Sequence, residues 1–320
     1  MITPKKIQLA NIPTPLQKIN FQDKNFLIKR DDFTGMELSG NKVRKLEYLI
    51  YQAKKEKSDM VFTDGGEQSN HARATVIAAA QAGIKSKLFL WGKDKNNADG
   101  NLFLDKFLGA EISFLNKKEY ANVNDIMFEE RKKLLKKDKK VFVIPEGGST
   151  TLGIWGYVSF VSELQKQVDL KSIKGILVAA GSGGTAAGLL VGLALIKSNL
   201  KVYAVNVLYP KNVIRKKIIQ LAEGCKLDFK LSCKKNEGNL EILDGYSEEG
   251  YKKITNDKLE LIKKFAKSTG IILDPAYTGK AFKAYYENFL LKNQGMKVIF
   301  LHTGGLYGVF GKRKEFLQIK

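Results

Sequence analysis

Four times along this chain of 320 residues a short apolar run ends in a cluster of glycines and passes directly into a helical apolar pattern. The runs are MVFTDGGEQSNHARATVIAAAQAG (60–83), VFVIPEGGSTTLGIWGYVSFVSEL (141–164), GILVAAGSGGTAAGLLVGLALI (175–196) and KVIFLHTGGLYGVFG (297–311). Strands that alternate with helices in this way return parallel to one another, and the helices cover both faces of the resulting sheet. The pattern therefore predicts an α/β chain, and its length allows two domains. No internal repeat and no Pro- or Ser-rich linker marks a boundary, so the domains are expected to be interleaved in sequence. Each glycine-rich loop falls at a strand carboxyl end, where open α/β sheets bind ligands.

Segment 175–196 carries no charge over 22 positions, which is long enough to span a bilayer. Six glycines interrupt it, with GSGG in the middle, so a buried strand, a tight turn and a buried helix are expected instead. The net charge of +21 invites a nucleic-acid partner, but the cations fall in short knots such as KKLLKKDKK (132–140), with no RNA- or DNA-binding signature. Solvated helix faces are the expectation, with no nucleic-acid and no membrane partner. Cys225 and Cys233 lack companions at metal-ligand spacing and His71 and His302 are the sole histidines, so no metal is expected. The first residues, MITPKKIQLANIPTPLQ, hold no apolar stretch of signal-peptide length, which predicts a cytoplasmic protein.

Gly181, Ser182, Gly183, Gly184 and Thr185 stand between the strand ILVAA and an apolar helix. Such a turn aims successive N–H groups and a helix N-terminus at one point, where an anion belongs. The run satisfies G-x-G-x-x-A through Ala186, but no carboxylate ends the next strand to hold a ribose, and no lysine follows the glycines as in a Walker loop. A monophosphate ligand fits better than a nucleotide. In GGEQSNHAR (65–73), Gln68, Ser69, Asn70 and His71 offer polar groups at four consecutive positions, more than a helix cap requires. No G-x-S-x-G elbow supports Ser69 as a hydrolase nucleophile.

GNKVRKLEYL places Lys42, Arg44 and Lys45 close together after flexible Gly40. A lysine beside a phosphate loop becomes a nucleophilic amine if burial and neighbouring cations lower its pKa, and Arg44 and Lys45 are the expected neighbours. Lys42 and Lys45 are one helical turn apart and share a side, which leaves Arg44 as a helix-surface cation.

Taken in order, PTPLQ (13–17), IKRDDFTG (28–35), SGNKVRKLEYLI (39–50), DGGEQSNHAR (64–73), IPEGGSTTLGIWGY (144–157), GSGGTAAGLLVG (181–192), LDPAYTGKA (273–281) and FLHTGG (300–305) are collinear with the motifs of one family. The chain resembles the D-cysteine desulfhydrase and aminocyclopropane-carboxylate deaminase family of pyridoxal-phosphate enzymes, fold type II. That resemblance implies two domains, each an open, mostly parallel twisted sheet flanked by helices, with the cofactor in the cleft between them. The division expected is 1–44 with 150–320 as the large cofactor-binding domain and 45–149 as the small one. Lys42 is implied as the residue that carries the cofactor covalently, and Asn70 as the partner of its ring hydroxyl. Lys45 and the loop Gly181, Ser182, Gly183, Gly184 and Thr185 are implied as the phosphate site, and Thr303 as a further cofactor contact. Ser69, Asn70, His71 and Thr278 are implied for the substrate, and Tyr277 and Tyr251 with Ser69 and Lys42 for catalysis. Tyr246, after Gly245, competes with Tyr251 for its place. A homodimer acting on a small amino acid is implied as well.

Ring-opening deaminases of this family are expected to carry Glu after the DPxY tyrosine and Leu before the terminal Gly-Gly; this chain has Thr278 and Thr303. A neutral hydroxyl near the pyridine nitrogen cannot keep it protonated as a carboxylate can. The expectation is β-elimination of D-cysteine, with aminocyclopropane-carboxylate deamination as the alternative; racemase and β-replacement activities stay open within the same fold.

Overall fold

The computed structural model describes residues 3–234, 236–250 and 253–318. Its strands are β1 (Leu16–Phe21), β2 (Lys24–Arg30), β3 (Met60–Gly66), β4 (Lys85–Trp91), β5 (Glu111–Leu115), β6 (Val141–Ile144), β7 (Gly175–Ala180), β8 (Lys201–Asn206), β9 (Leu240–Leu243) and β10 (Val298–His302). They form a six-stranded sheet, in the order β1-β2-β10-β7-β8-β9, and a four-stranded sheet, in the order β5-β4-β3-β6. Every pairing is parallel except β1 with β2. Those two close a hairpin through Gln22 and Asp23, both at positive φ (49° and 60°), as the twist of a two-residue turn requires.

The uncharged segment 175–196 resolves as strand β7, buried at every position, then a turn, then the buried helix Gly184–Leu195. Among the described residues no helix is long and apolar enough to cross a membrane. This helix has no polar face because helices Trp155–Gln165 and Lys211–Asp228 pack against it over the six-stranded sheet. The opposite face of that sheet is filled by an aromatic cluster that includes Phe21, Phe26, Phe265, Phe282 and Phe300. Lysines 132, 133, 136, 137, 139 and 140 lie exposed, as a solvated face demands.

Helix Asn41–Lys55 links the two sheets. It touches Trp155–Gln165 beside the larger sheet and Asn70–Gln81 beside the smaller one. Its Val43, Leu46, Leu49 and Ile50 join Val61, Ala74 and Ile77 in one buried cluster. The sequence-based division at 44/45 runs through this continuous helix, while 149/150 falls in the loop after β6. We retain that division as a proposal about how the chain is organised.

Candidate active site

The carboxyl ends of β3, β6, β7 and β10 converge on a cavity of about 780 Å³. Its wall includes Lys42, Lys45, Ser69, Asn70, His71, Gly181, Ser182, Gly183, Gly184, Thr185, Tyr277 and Thr303. One hollow thus gathers residues that are as far as 261 positions apart, from Lys42 to Thr303.

Lys42 enters this cavity because the turn before it is forced. Gly40 has φ +99°, and a Cβ there would sit 2.6 Å from the Thr303 carbonyl oxygen. The same carbonyl accepts the Asn41 N–H at 3.1 Å, which pins the start of the helix to the end of β10. Lys42 is walled in by protein yet reachable from the cavity, and its Nζ donates to Asn41 Oδ1 at 3.0 Å. Asn41 Nδ2 in turn donates to Thr185 Oγ1 at 2.9 Å. Burial pulls the Lys42 amine from the ordinary 10.5 down to about 8; Glu146 and Asp274 oppose the fall and Arg73 adds to it. Of the two cations expected beside Lys42, Lys45 does interact with it, whereas Arg44 does not and Arg73 takes that place.

Arg44 corrects a second expectation. It is 2% exposed and so is no surface cation. Its guanidinium donates to Asp31 Oδ2 and Oδ1 (2.9 and 2.8 Å), to Glu163 Oε2 and Oε1 (2.8 and 3.0 Å) and to Thr14 Oγ1 (3.2 Å). Burial disfavours its charge, but Asp31 and Glu163 raise its pKa all the same. Glu163, which burial alone would raise, is brought down to about 2 by Arg44 and Lys29. The sequence could not show this, because the carboxylates lie 13 and 119 positions away.

Lys45 is 1% exposed and meets the Gly147 carbonyl at 3.1 Å and Ser149 Oγ at 3.3 Å. Among the described residues no carboxylate hydrogen-bonds to it, and burial followed by Lys42 drives its pKa far down, with Glu146 opposing. A Cβ on Gly184 would lie 2.7 Å from Lys45 Nζ and 2.4 Å from Ser149 Oγ, so the helix N-terminus needs glycine there to approach the amine. Ser149 and Ser182 hydroxyls share a hydrogen bond of 2.7 Å across the same hollow. A buried amine with no ion pair among the described residues, at the N-terminus of a 12-residue helix, fits a phosphate group, whose charge would favour the protonated form.

The other expected residues divide. Ser69 is both a cap, accepting from Ala72 N–H at 3.2 Å, and a wall residue. Asn70 opens the same helix and faces the cavity. His71 is buried, with Nε2 against Thr63 Oγ1 at 2.9 Å. Burial, then Lys42 and Lys45, lowers its pKa so far that it stays neutral and offers no cation to a carboxylate. Tyr277 packs its ring where a Cβ on Gly181 would stand at 2.9 Å, and Lys42 Nζ is 5.8 Å from the ring centre.

Thr278 does not line the cavity. Its hydroxyl turns back to Asp274 Oδ1 at 2.7 Å, inside a cap in which Asp274 also accepts the N–H groups of Ala276, Tyr277 and Thr278. Tyr246 is also away from the site, bonded to Glu287 at 2.8 Å among the aromatic cluster. Tyr251 lies outside the described residues.

Two hydrogen-bonded pairs in the wall lie outside the expected set. Tyr120 donates to Asp64 at 2.9 Å and Tyr209 to Glu146 at 2.9 Å. Burial, with Glu146 nearby, raises Asp64 to about 6. Asp64 and Glu146 sit inside quoted motifs and were legible as candidates; Tyr120 and Tyr209 belong to no motif.

A buried amine close to neutrality, set beside a phosphate cradle at the carboxyl ends of parallel strands, defines a class of enzyme that carries an aldehyde cofactor with a phosphate arm. The chain belongs to the pyridoxal-phosphate dependent enzyme family, which it matches over residues 7–304. It is 40% identical over 98% of its length to a Thermotoga maritima protein, matched in full, that is provisionally named 1-aminocyclopropane-1-carboxylate deaminase. It is 39% identical over 97% of its length to the Arabidopsis thaliana mitochondrial protein named bifunctional D-cysteine desulfhydrase/1-aminocyclopropane-1-carboxylate deaminase, of which it covers 80%. The crystal structure of a homologue of aminocyclopropane-carboxylate deaminase superimposes with TM-score 0.91 at 34% identity, over 99% of this chain and 97% of that one. A fungal L-serine ammonia-lyase from Rhizomucor miehei shares the fold alone, with TM-score 0.65 at 18% identity over 96% of this chain and 99% of that one. The fold is type II, and the cofactor is pyridoxal phosphate.

Proposed function

We propose that this enzyme is a lyase that eliminates sulfide from D-cysteine or a related small amino acid, giving pyruvate, ammonia and hydrogen sulfide with uptake of one water. The observation that carries the reading is Lys42: an amine held near pKa 8 inside a cavity whose floor is a phosphate cradle. Lys45, Ser182 and the N–H groups of the loop from Gly181 to Thr185 would hold the phosphate arm of pyridoxal phosphate. Asn70 and Thr303 would contact the ring, and Lys42 would carry the cofactor. Bound pyridoxal phosphate supplies covalent attachment for the substrate amine and a sink for the electron pair released at its α-carbon. With the cofactor bound, Lys42 Nζ would be the base that accepts the α-proton, a role its depressed pKa allows near neutrality. Ser69 and Asn70 orient the substrate carboxylate from the N-terminus of helix Asn70–Gln81. Tyr277 and Tyr251 are assigned to the face where the reaction occurs.

A second reading, deamination of 1-aminocyclopropane-1-carboxylate to 2-oxobutyrate and ammonia, draws on the names of the Thermotoga and Arabidopsis relatives. Residue 278 favours sulfide elimination, because it is a threonine whose hydroxyl is consumed by Asp274, so no carboxylate enters from that position. Assay of the purified protein with both substrates decides between them: sulfide forms from one and 2-oxobutyrate from the other. Lys42→Ala is expected to lose the visible absorption of the covalently held cofactor, along with at least ~10³-fold in turnover. Normal turnover with that band intact would overturn the assignment.

A cytoplasmic homodimer completes the proposal. Phe103 and Phe107 lie exposed on helix Gly100–Phe107, against a segment bearing exposed Leu306 and Phe310, and so supply apolar surface for a second copy. Light scattering on the eluted protein measures the mass directly.

A further inference from the structure

Arg73, which lowers the Lys42 pKa, is wholly buried on helix Asn70–Gln81, one turn after Asn70. It donates from Nε to Asn101 Oδ1 at 2.9 Å, from Nη2 to the Ser39 carbonyl at 3.1 Å and from Nη1 to the Glu37 carbonyl. Its guanidinium also stands 4.8 Å from the centre of the Tyr307 ring. Asn101, likewise fully buried, donates from Nδ2 to the Gln68 carbonyl and to Asn70 Oδ1, each at 2.9 Å.

The orientation of each amide in this chain is dictated by groups that have no choice. The Arg73 guanidinium only donates, so Asn101 must turn its oxygen toward it. The Gln68 carbonyl only accepts, so Asn101 must turn its nitrogen the other way. That nitrogen has a second hydrogen, which obliges Asn70 to present its oxygen to Asn101. Asn70 Nδ2 is thereby aimed elsewhere, and among the described residues it has no acceptor. Asn70 itself forms part of the cavity wall. An isolated asparagine could offer either end of its amide to a ligand; this one can offer only a donor.

We propose that Arg73 and Asn101 are positioning residues that set Asn70 as a hydrogen-bond donor to an oxygen of the cofactor ring. Through Glu37 and Ser39 the same guanidinium also fixes the segment that leads into Lys42. The two residues that meet the ring, the amine and the amide, are thus held from one buried cation. The inference rests on the reading that Asn70 faces the ring, and the experiment separates the two.

The measurement is pyridoxal phosphate binding to apoenzyme, followed by fluorescence, together with the visible spectrum of the holoenzyme. Asn101→Asp keeps the acceptor for Arg73 but replaces the donor with a second acceptor, so Asn70 must reverse its amide and turn oxygen toward the ring. Loss of one charge-assisted donor is expected to weaken binding about ten- to a hundredfold and to shift the absorption band. In an Asn70→Ala background the same substitution is expected to have little further effect, since there is no amide left to orient. Asn101→Ala, which adds no charge, is expected to act in the same direction by a smaller factor. Wild-type binding and spectrum in Asn101→Ala would overturn the proposal even if Asn101→Asp fails to fold. An Asn101 effect that persists undiminished without the Asn70 amide would do the same, because it marks a general loss of structure. If Asn70→Ala alone binds the cofactor normally, the underlying reading of Asn70 is what fails.

Discussion

Arg44 and Lys45 are neighbours on one helix, equally buried at 2% and 1% exposure, and the protein treats them in opposite ways. Arg44 points to the side shared with helix Trp155–Gln165, where Asp31, Glu163 and Thr14 accept from its guanidinium. Lys45 points to the cavity, where it meets a carbonyl and a hydroxyl and no carboxylate among the described residues. A buried charge that serves the fold arrives with its counter-ions, because an unpaired one is expensive to bury. A buried charge that serves a ligand is left incomplete until the ligand comes. The contrast tells structure from function more reliably than burial or charge does alone.

The largest effect expected from breaking this contrast is on Arg44. Arg44→Ala leaves Asp31 with only the Thr14 and Tyr157 hydroxyls and Glu163 with Lys29 as its one cation, which is expected to cost about 3–5 kcal/mol in urea unfolding of the apoenzyme. A loss below about 1 kcal/mol would mean that the ion cluster is ornamental.

Next in size is the pH dependence of the apoenzyme. The folded Lys42 amine titrates at about 8 and the unfolded one at 10.5. Between those values the unfolded state binds the extra proton, so stability rises with pH through this window and is flat in this term below it. The full span of about 2.5 pKa units corresponds to roughly 3 kcal/mol. Lys42→Met removes the buried ammonium, so its stability advantage over wild type is expected to shrink as pH climbs from 8 to 10.5. A gap that stays constant across that range would place the Lys42 amine at its ordinary value. Wild-type apoenzyme should also take up cofactor faster as pH rises through about 8, levelling off roughly one unit above it.

Lys45→Met comes third. The variant apoenzyme is expected to be no less stable than wild type, because the buried amine it loses forms no ion pair and meets only a carbonyl and a hydroxyl. Its affinity for pyridoxal phosphate is expected to fall by about 1.5–3 kcal/mol, or roughly ten- to a hundredfold, as measured by equilibrium titration. Destabilisation comparable to that of Arg44→Ala would erase the distinction between the two cations.

The same contrast shows what could be read in the sequence. The alternation of strand, glycine cluster and helix was legible because the periodicities are local, and so the α/β class and the loop from Gly181 to Thr185 were found. Lys42 and Lys45 share a helix side by spacing alone. Arg44 was misread as a surface cation, since nothing near it in sequence reveals Asp31 or Glu163. The β1–β2 hairpin passed unnoticed because its turn is Gln22-Asp23, without the glycine that usually marks such a turn. Thr278 was placed at the ligand by the tyrosine before it, but its hydroxyl is claimed by Asp274, four positions back. Asn101 and Arg73 escaped notice because their importance lies in the direction of hydrogen bonds, which no residue type announces.

The smallest effect expected is at Tyr209, where the two sheets meet across the cavity. Its hydroxyl, carried on the loop after β8, donates to Glu146 on the loop after β6. Glu146 in turn raises the pKa of both Lys42 and Lys45, against the burial that lowers them. Tyr209→Phe is expected to cost about 0.5–1.5 kcal/mol in stability, the ordinary worth of one hydrogen bond. A carboxylate released from the phenol can swing toward bulk water and act less on the lysines, so the midpoint for cofactor attachment at Lys42 should move below about 8. An unchanged midpoint together with the stability loss would show that the phenol ties the two loops without tuning the amine. A lowered midpoint would extend the contrast, because the cavity lysines would then be governed by a distant, adjustable carboxylate where Arg44 is clamped by two fixed ones.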